Sequence, residues 1–253
     1  MSNQSAPTEA WSKQELAQNP HTRDDKPERV RNMFAAIAGS YDLNNRVHSF
    51  GRDQAWRKAA VRLAEVKEGD EILDCACGTG DLTFAFAKTN AKRIIGSDFT
   101  QEMLDVAETK LRDTSGRVSF QQADAMALPF DDESFDVVSI AFGIRNVADP
   151  AKAIAQFHRV LRPGGRLIIL EFDEPSFPPI RWGNAFYTRI IMPITATLIA
   201  RDKSGAYRYL PKSVKTFMKR DEMQQSLQDA GFTNTTAKPM TFGVCVCHKA
   251  IKQ

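Results

Sequence analysis

The chain has 253 residues, a formal net charge of +3, 42% hydrophobic residues and four cysteines. A charge so near balance, with no long basic run, excludes nucleic acid as the expected partner. No run of about 18 apolar residues occurs, so no segment is expected to span a membrane. The length suits one large domain, with or without an appendage.

Residues 1–27 are polar and lack the apolar stretch of a secretory signal. They are expected to form a mobile tail, leaving 28–253 as a single domain. Helical apolar spacing appears over 28–37 and 53–65, so 28–66 is expected to form an N-terminal helical cover. From residue 71 the pattern alternates. Strand-like runs fall at 71–77, 93–98, 118–124, 135–142 and 166–171, and helical runs at 83–88, 101–112 and 151–161. This alternation predicts an α/β fold with a doubly wound, mostly parallel sheet. Over 174–220 it breaks into prolines and a cluster of apolar side chains that includes Trp182, Phe186, Ile190 and Ile194. A helical insertion is expected there. A helix at 221–230 stops at Gly231, and two last strands, 233–240 and 244–250, are joined by a link too short for anything but an antiparallel pair.

The run EILDCACGTGD at 71–81 carries the most chemistry. A strand ends in Asp74 and a turn with Gly78, Thr79 and Gly80, whose glycines let a nucleotide-like ligand approach the backbone. A dinucleotide site would want a third glycine where Thr83 stands, and a phosphate loop would want a Lys-Ser/Thr pair that is missing. The third reading is S-adenosylmethionine, whose ammonium and sulfonium suit Asp74 and Asp81, carboxylates that would repel a pyrophosphate. Asp98, about 20 residues past the glycines at the end of the second strand, suits ribose hydroxyls. Asp124-Ala125, after the third, suits the exocyclic amine of an adenine. Each aspartate alone could merely cap the next helix; three at successive strand ends favour a ligand.

Cys75 with Cys77, and Cys245 with Cys247, lie in apolar runs as same-face pairs, so buried small hydrophobes are expected rather than a metal site. Free cysteines without a leader point to a reducing cytoplasm. The four histidines show no metal spacing, and His158 is expected on a helix surface.

In this order, DCACGTGD, Asp98, Asp124-Ala125, FDVVSIAFGIRN and RVLRPGGRLIILEF resemble the class I S-adenosylmethionine-dependent methyltransferases. A narrower resemblance, covering about 28–250, is to the C-methyltransferases of quinone biosynthesis, which act on demethylmenaquinol or on a ubiquinol precursor. It rests on VRNMF with Ile37-Ala38 and Tyr41-Asp42, on SFG with Trp56-Arg57, on FGIRN at 142–146, and on YRYLPKS at 207–213. The resemblance implies a Rossmann-like, seven-stranded sheet whose last strand is antiparallel. It also implies S-adenosylmethionine as co-substrate, with contacts from Thr79, Asp98 and Asp124-Ala125. The chain departs from the pattern at Cys77, where a glycine is usual, and at Ala141, where some members carry serine.

For ring-carbon methylation the acceptor must become a phenolate that shares its charge with the carbon. Arg145 is the candidate to stabilise that charge, with Asn146 as a neutral donor. Tyr41 and His48, on the segment expected to cover the pocket, are candidates to take up protons. No metal is expected, because a sulfonium is already a strong electrophile. The polyprenyl quinol needs a greasy pocket, and the cluster at 182–200 fits a peripheral contact with the inner face of the membrane. The same cluster could instead pack as core or form a homodimer face. A small soluble acceptor, a non-catalytic binding module and a dehydrogenase are the rival readings.

Overall fold

The structure is a computed structural model that describes residues 10–12, 14–111, 116–200 and 204–253. Seven strands form one sheet: β1 (Glu71–Cys75), β2 (Arg93–Asp98), β3 (Val118–Gln122), β4 (Phe135–Ala141), β5 (Leu161–Phe172), β6 (Phe232–Met240) and β7 (Cys245–Lys252). Their order is β3-β2-β1-β4-β5-β7-β6. β7 alone runs antiparallel to its neighbours, β5 and β6. The expected doubly wound sheet with an antiparallel last strand is present.

Strand periodicity assigns side chains to the two faces. Ile72, Val137 and Ile168 point to one side, where they meet Trp56, Ala60 and Ala64 of α3 (Arg52–Ala64) and Leu82 and Phe86 of α4 (Asp81–Phe86). Leu73, Val138 and Ile169 point to the other, against α6 (Pro150–Val160) and α10 (Arg220–Asp229). Buried on both faces, these strands read as continuous apolar runs. Helix α5 (Gln101–Thr109) packs beside β2 and β3.

A third apolar cluster lies outside the sheet. It joins Val30, Met33 and Ile37 of α1 (Lys26–Ile37), Met103 of α5, Ala196 of α8 (Met192–Ala200), and Tyr207 and Tyr209 of α9 (Ala206–Thr216). The insertion is helical as expected: α7 (Pro178–Phe186), a π-helical turn (Tyr187–Ile191), α8 and α9. Among the described residues no helix is long and apolar enough to cross a membrane.

Several expectations need correction. Residues 1–9 lie outside the described residues, but from Ala10 onward the presumed tail is packed. Trp11 has no exposed surface; its ring stacks on Tyr209 at 4.8 Å, and its amide donates to the Ser204 carbonyl. Arg29 stands over the same indole, 5.7 Å from its centroid. One buried aromatic with two ring partners offsets the ordering entropy of an otherwise polar stretch. The sequence pattern also gave no helix for α2 (Tyr41–His48). Cys75 and Cys77 do not share a strand face, because β1 ends at Cys75 and Ala76 turns the chain with φ +48°. Cys75 faces the α6 side, whereas Cys245 and Cys247 face the α3 side. His158 is half-buried, its ring edge-on to Phe232 at 5.0 Å.

Trp11→Ala is expected to cost about 3–5 kcal/mol of stability, the range for a fully buried aromatic. Urea denaturation of the full chain measures this, and a loss below about 1 kcal/mol would show that the N-terminal segment is not part of the cooperative unit.

Candidate active site

Strand order reverses between β1 and β4, and in doubly wound sheets a crevice opens at such a point beyond the carboxyl ends of the strands. Both strands leave the sheet here in unusual backbone. Ala76 after β1 has φ +48° and Phe142 after β4 has φ +57°, a left-handed region that costs non-glycine residues energy. The two loops also approach closely: a Cβ on Gly143 would fall 2.6 Å from that of Ala76.

Beneath the glycine turn lies Asp74, with no exposed surface. It accepts from Thr83 Oγ1 at 2.6 Å and Ser139 Oγ at 2.7 Å. One carboxylate thus ties β1 to α4 and to β4. Burial pushes its pKa up to about 6, and the two hydroxyls pull against that rise.

Above it, a cavity is lined by Gly78, Asp98, Phe99, Met103, Asp124, Ala125 and Met126. Asp98 accepts from the amides of Gly78 and Thr100, both at 2.8 Å. Burial raises the Asp98 pKa, and these amide contacts lower it. Asp124 Oδ1 accepts from the Met126 amide at 2.8 Å. Carboxylates at the ends of β2 and β3, beside the flat apolar sides of Phe99, Met103 and Met126, suit a ribosyl-adenine with a cationic tail. Gly78, at φ +56°, has only Tyr41 within 4 Å of where a Cβ would stand, so the turn presents bare backbone to the cavity.

A second cavity lies under α2 and the insertion. Its lining includes Tyr41, His48, Arg57, Arg145, Phe172 and Tyr209. Phe34, Tyr41 and Phe142 line both cavities, so these side chains stand at the boundary between them. Arg145 is 5% exposed, and its Nη1 donates to Glu171 Oε1 at 2.6 Å and to the Phe142 carbonyl at 2.7 Å. Burial pushes the Glu171 pKa up, with Arg145 opposing. Burial also lowers the His48 pKa, and its Nε2 has no partner among the described residues.

A model of the ubiE/COQ5 methyltransferase family matches residues 22–252. The chain belongs to this family. The ubiquinone/menaquinone biosynthesis C-methyltransferase UbiE of Erwinia tasmaniensis is 38% identical over 234 residues, spanning 91% of this chain and 93% of that one. The demethylmenaquinone methyltransferase of Staphylococcus carnosus is 39% identical over 228 residues, 89% and 94% of the two chains. The chain is therefore an S-adenosylmethionine-dependent C-methyltransferase. Solved structures share the fold at lower identity. A SAM-dependent methyltransferase from Thermotoga maritima has a TM-score of 0.61 at 19% identity, covering 88% of this chain and all of that one. The [4+2]-cyclase SpnF has a TM-score of 0.62 at 18% identity, covering 89% and 96%.

In this methyltransferase the sequence-predicted residues divide. Gly78, Asp98, Asp124 and Ala125 line the switch-point cavity. Asp74, Thr79 and Gly80 line neither cavity. Asp74 is spent on Thr83 and Ser139. Thr79 is 1% exposed, and its hydroxyl donates to Asp42 of α2. Gly80 is a hinge at φ +85°, where a Cβ would meet Phe84 at 2.9 Å. Asp81 faces Arg46, Gln54 and Lys110 rather than a ligand. Tyr41, His48 and Arg145 meet in the cover-side cavity, but Asn146 lies on the other one. Its Nδ2 donates to the Phe142 carbonyl, the acceptor it shares with Arg145 Nη1, and its Oδ1 accepts from Tyr209 of the cover-side wall, so the amide ties α9 to the turn beside Arg145. Sequence reasoning missed Glu171, Tyr209 and the Asp53–Arg57 pair as parts of this site. A lone glutamate near the end of an otherwise apolar central strand was the available signal for Glu171, because buried carboxylates are paired.

Asp74 supplies a pH test. Between about pH 4 and 6 the unfolded chain releases this proton while the folded chain keeps it, so the residue's contribution makes stability fall as pH rises. Asp74→Asn is expected to flatten that slope. Equal slopes in chemical denaturation of the two proteins would show that Asp74 titrates normally.

Proposed function

We propose that this methyltransferase transfers the methyl of S-adenosylmethionine to a ring carbon of a polyprenyl quinol, converting demethylmenaquinol to menaquinol. The observation that carries the reading is the pair of adjacent cavities that share Phe34, Tyr41 and Phe142 as walls. One has carboxylates at successive strand ends; the other is aromatic, with a buried arginine at its wall. The names of the relatives support the acceptor. The Staphylococcus enzyme is named for demethylmenaquinone, and the Erwinia enzyme for both quinone pathways. The methoxylated benzoquinol precursor of ubiquinone is accordingly the second reading. Mass spectrometry of quinones from a deletion strain separates them: accumulated demethylmenaquinone supports the first, and accumulation of only the ubiquinone precursor overturns it.

Bound S-adenosylmethionine supplies an electrophilic methyl and needs no metal in this reading. Gly78 offers bare backbone, Asp98 faces the ribose, and Asp124-Ala125 faces the adenine. Arg145, aligned by Glu171, stabilises the oxygen next to the reacting carbon as it becomes a phenolate. Its pair with Glu171 is nearly neutral, which suits an uncharged quinol before activation. His48, whose Nε2 has no partner among the described residues, is placed to accept a proton, whereas burial pushes the Tyr41 pKa up, so that phenol keeps its own proton and can only relay one. Arg145→Ala is expected to lower quinol turnover roughly 100-fold while calorimetric affinity for S-adenosylmethionine stays within about 2-fold. Unchanged turnover would remove Arg145 from the mechanism.

The isoprenoid tail needs an exit. Trp182 is 69% exposed, and Phe186, Ile190 and Ile194 stand exposed along the same helical run. Phe50, after α2, packs on Tyr187 at 5.6 Å and is itself 78% exposed. Arg181 and Arg189 lie within this run and line the cover-side cavity; Arg201, the third flanking arginine, lies outside the described residues. This face is proposed to rest on the bilayer, with the cavity beneath it. Each large side chain inserted contributes about 1.5–3 kcal/mol, so Trp182→Ser with Phe186→Ser is expected to cut flotation with anionic vesicles at least ~10-fold. Equal flotation would favour the face as a homodimer contact, which sedimentation tests.

A further inference from the structure

The Trp56-Arg57 pair, prominent in the sequence, has no part in the chemistry above. Trp56 anchors α3, its Nε1 donating to Thr241 Oγ1 at 2.8 Å. Arg57 is different. It lines the cover-side cavity with Arg145 and is only 6% exposed. Its guanidinium stands over the Phe142 ring, 5.5 Å from the centroid, while Arg145 stands over Phe172 at 5.4 Å. Those two rings pack together at 4.5 Å. The two arginines are thus fixed on one pair of tilted, packed rings.

Each is also built alike. Arg57 Nη1 contacts Asp53 Oδ2 at 3.1 Å and the Asp53 carbonyl at 3.2 Å. Asp53 is itself 3% exposed and held by the Ser49 hydroxyl at 2.9 Å. Arg57 Nε is buried without a partner among the described residues, as is Arg145 Nε. A guanidinium has five donors and cannot shed its charge. Burying one with a single side-chain partner is costly unless something else completes its hydrogen bonds. A merely structural arginine on α3 would not need to end in this cavity.

We propose that Arg57, positioned by Asp53, holds the second ring oxygen of the acceptor, para to the oxygen that Arg145 stabilises. This rests on the quinol reading above. A quinol carries two oxygens on opposite ring positions, and the cavity presents two carboxylate-paired arginines. In the quinol reading Arg145 attends the oxygen beside the reacting carbon, which leaves the other oxygen to Arg57. Arg57 then serves orientation and selects for a para-dihydroxy ring over a ring with one hydroxyl.

The test measures binding to the full-length enzyme saturated with S-adenosylhomocysteine, so that no reaction intervenes. The probes are a short-tailed 1,4-dihydroxynaphthalene, kept reduced, and its analogue lacking the hydroxyl far from the reacting carbon. The wild type is expected to bind the diol about 10- to 100-fold more tightly, as for one charge-assisted hydrogen bond. Arg57→Gln is expected to bind both equally, with S-adenosylhomocysteine affinity unchanged. Asp53→Asn combined with Arg57→Gln removes both buried charges and gives the same readout if the single variant folds poorly. Arg57→Lys is expected to recover part of the preference. A full diol preference in Arg57→Gln and in the double variant overturns the proposal while leaving the quinol reading intact. If the wild type binds neither probe and methylates neither, the quinol reading fails and the role of Arg57 falls with it.

Discussion

A carboxylate with no exposed surface sits at the centre of this sheet, and much of the site depends on how it is satisfied. Asp74 is sealed from the surface, and among the described residues no arginine or lysine hydrogen-bonds to it. Two hydroxyls take that role, from Thr83 on α4 and Ser139 on β4. The carboxylate therefore fixes the first turn of α4 against β1 and β4, and so fixes the glycine turn strung between them. It also explains Thr83 at the place where a dinucleotide fold would have its third glycine. The missing glycine is more than an absent feature: a hydroxyl is needed there, and a glycine would leave a buried acceptor short of a donor.

From that anchor the turn is held at both ends. Asp98 receives the Gly78 amide from one side, and Asp42 receives the Thr79 hydroxyl from the other. The second contact joins the turn to α2, which also carries Tyr41 and His48. The element that binds one cavity's ligand is thereby hydrogen-bonded to the element that roofs the other. Tyr41, a shared wall residue, lies one position before Asp42. The cover and the glycine turn form one hydrogen-bonded unit.

The sheet was legible in the sequence because strands buried on both faces leave long apolar runs, and the helices between them leave 3.6-residue spacing. Four of the seven expected ligand residues lie on the expected cavity, since strand ends converge at a switch point whatever the loops do. Asp74 and Thr79 lie off that cavity for a physical reason. Sequence shows that a residue is polar, but not whether its hydrogen bonds are spent on its own fold. Asn146 is similar: it lines the switch-point cavity while its amide bonds Tyr209 of the cover-side wall. Helix α2, YDLNNRVH, lacks an apolar stripe because its buried or partly buried positions are polar or amphipathic, such as Asn44 and Tyr41, while Leu43 and Val47 are exposed. The packed N-terminal stretch escaped notice because one tryptophan anchors it, and a single residue has no period.

SpnF carries the same fold and is named as a cyclase, so the sheet alone does not define the reaction. The elements that do are α1–α3 and α7–α9, which lie outside the alternating pattern. Together with the segments at the ends of β4 and β5 they line the cover-side cavity and supply two features that an apolar acceptor requires. One is charge without net charge: Arg57 with Asp53 and Arg145 with Glu171 offer strong donors while presenting almost neutral pairs to an uncharged ring. Unpaired cations would hold water, and water beside an electrophilic methyl would compete for it. The other is the aromatic partition of Phe34, Tyr41 and Phe142, the side chains that the two cavity walls share. The strain stored at Phe142, φ +57°, follows from the same need: the ring must leave β4 in the one direction that closes the partition, and Gly143 lets the chain behind it pass against Ala76.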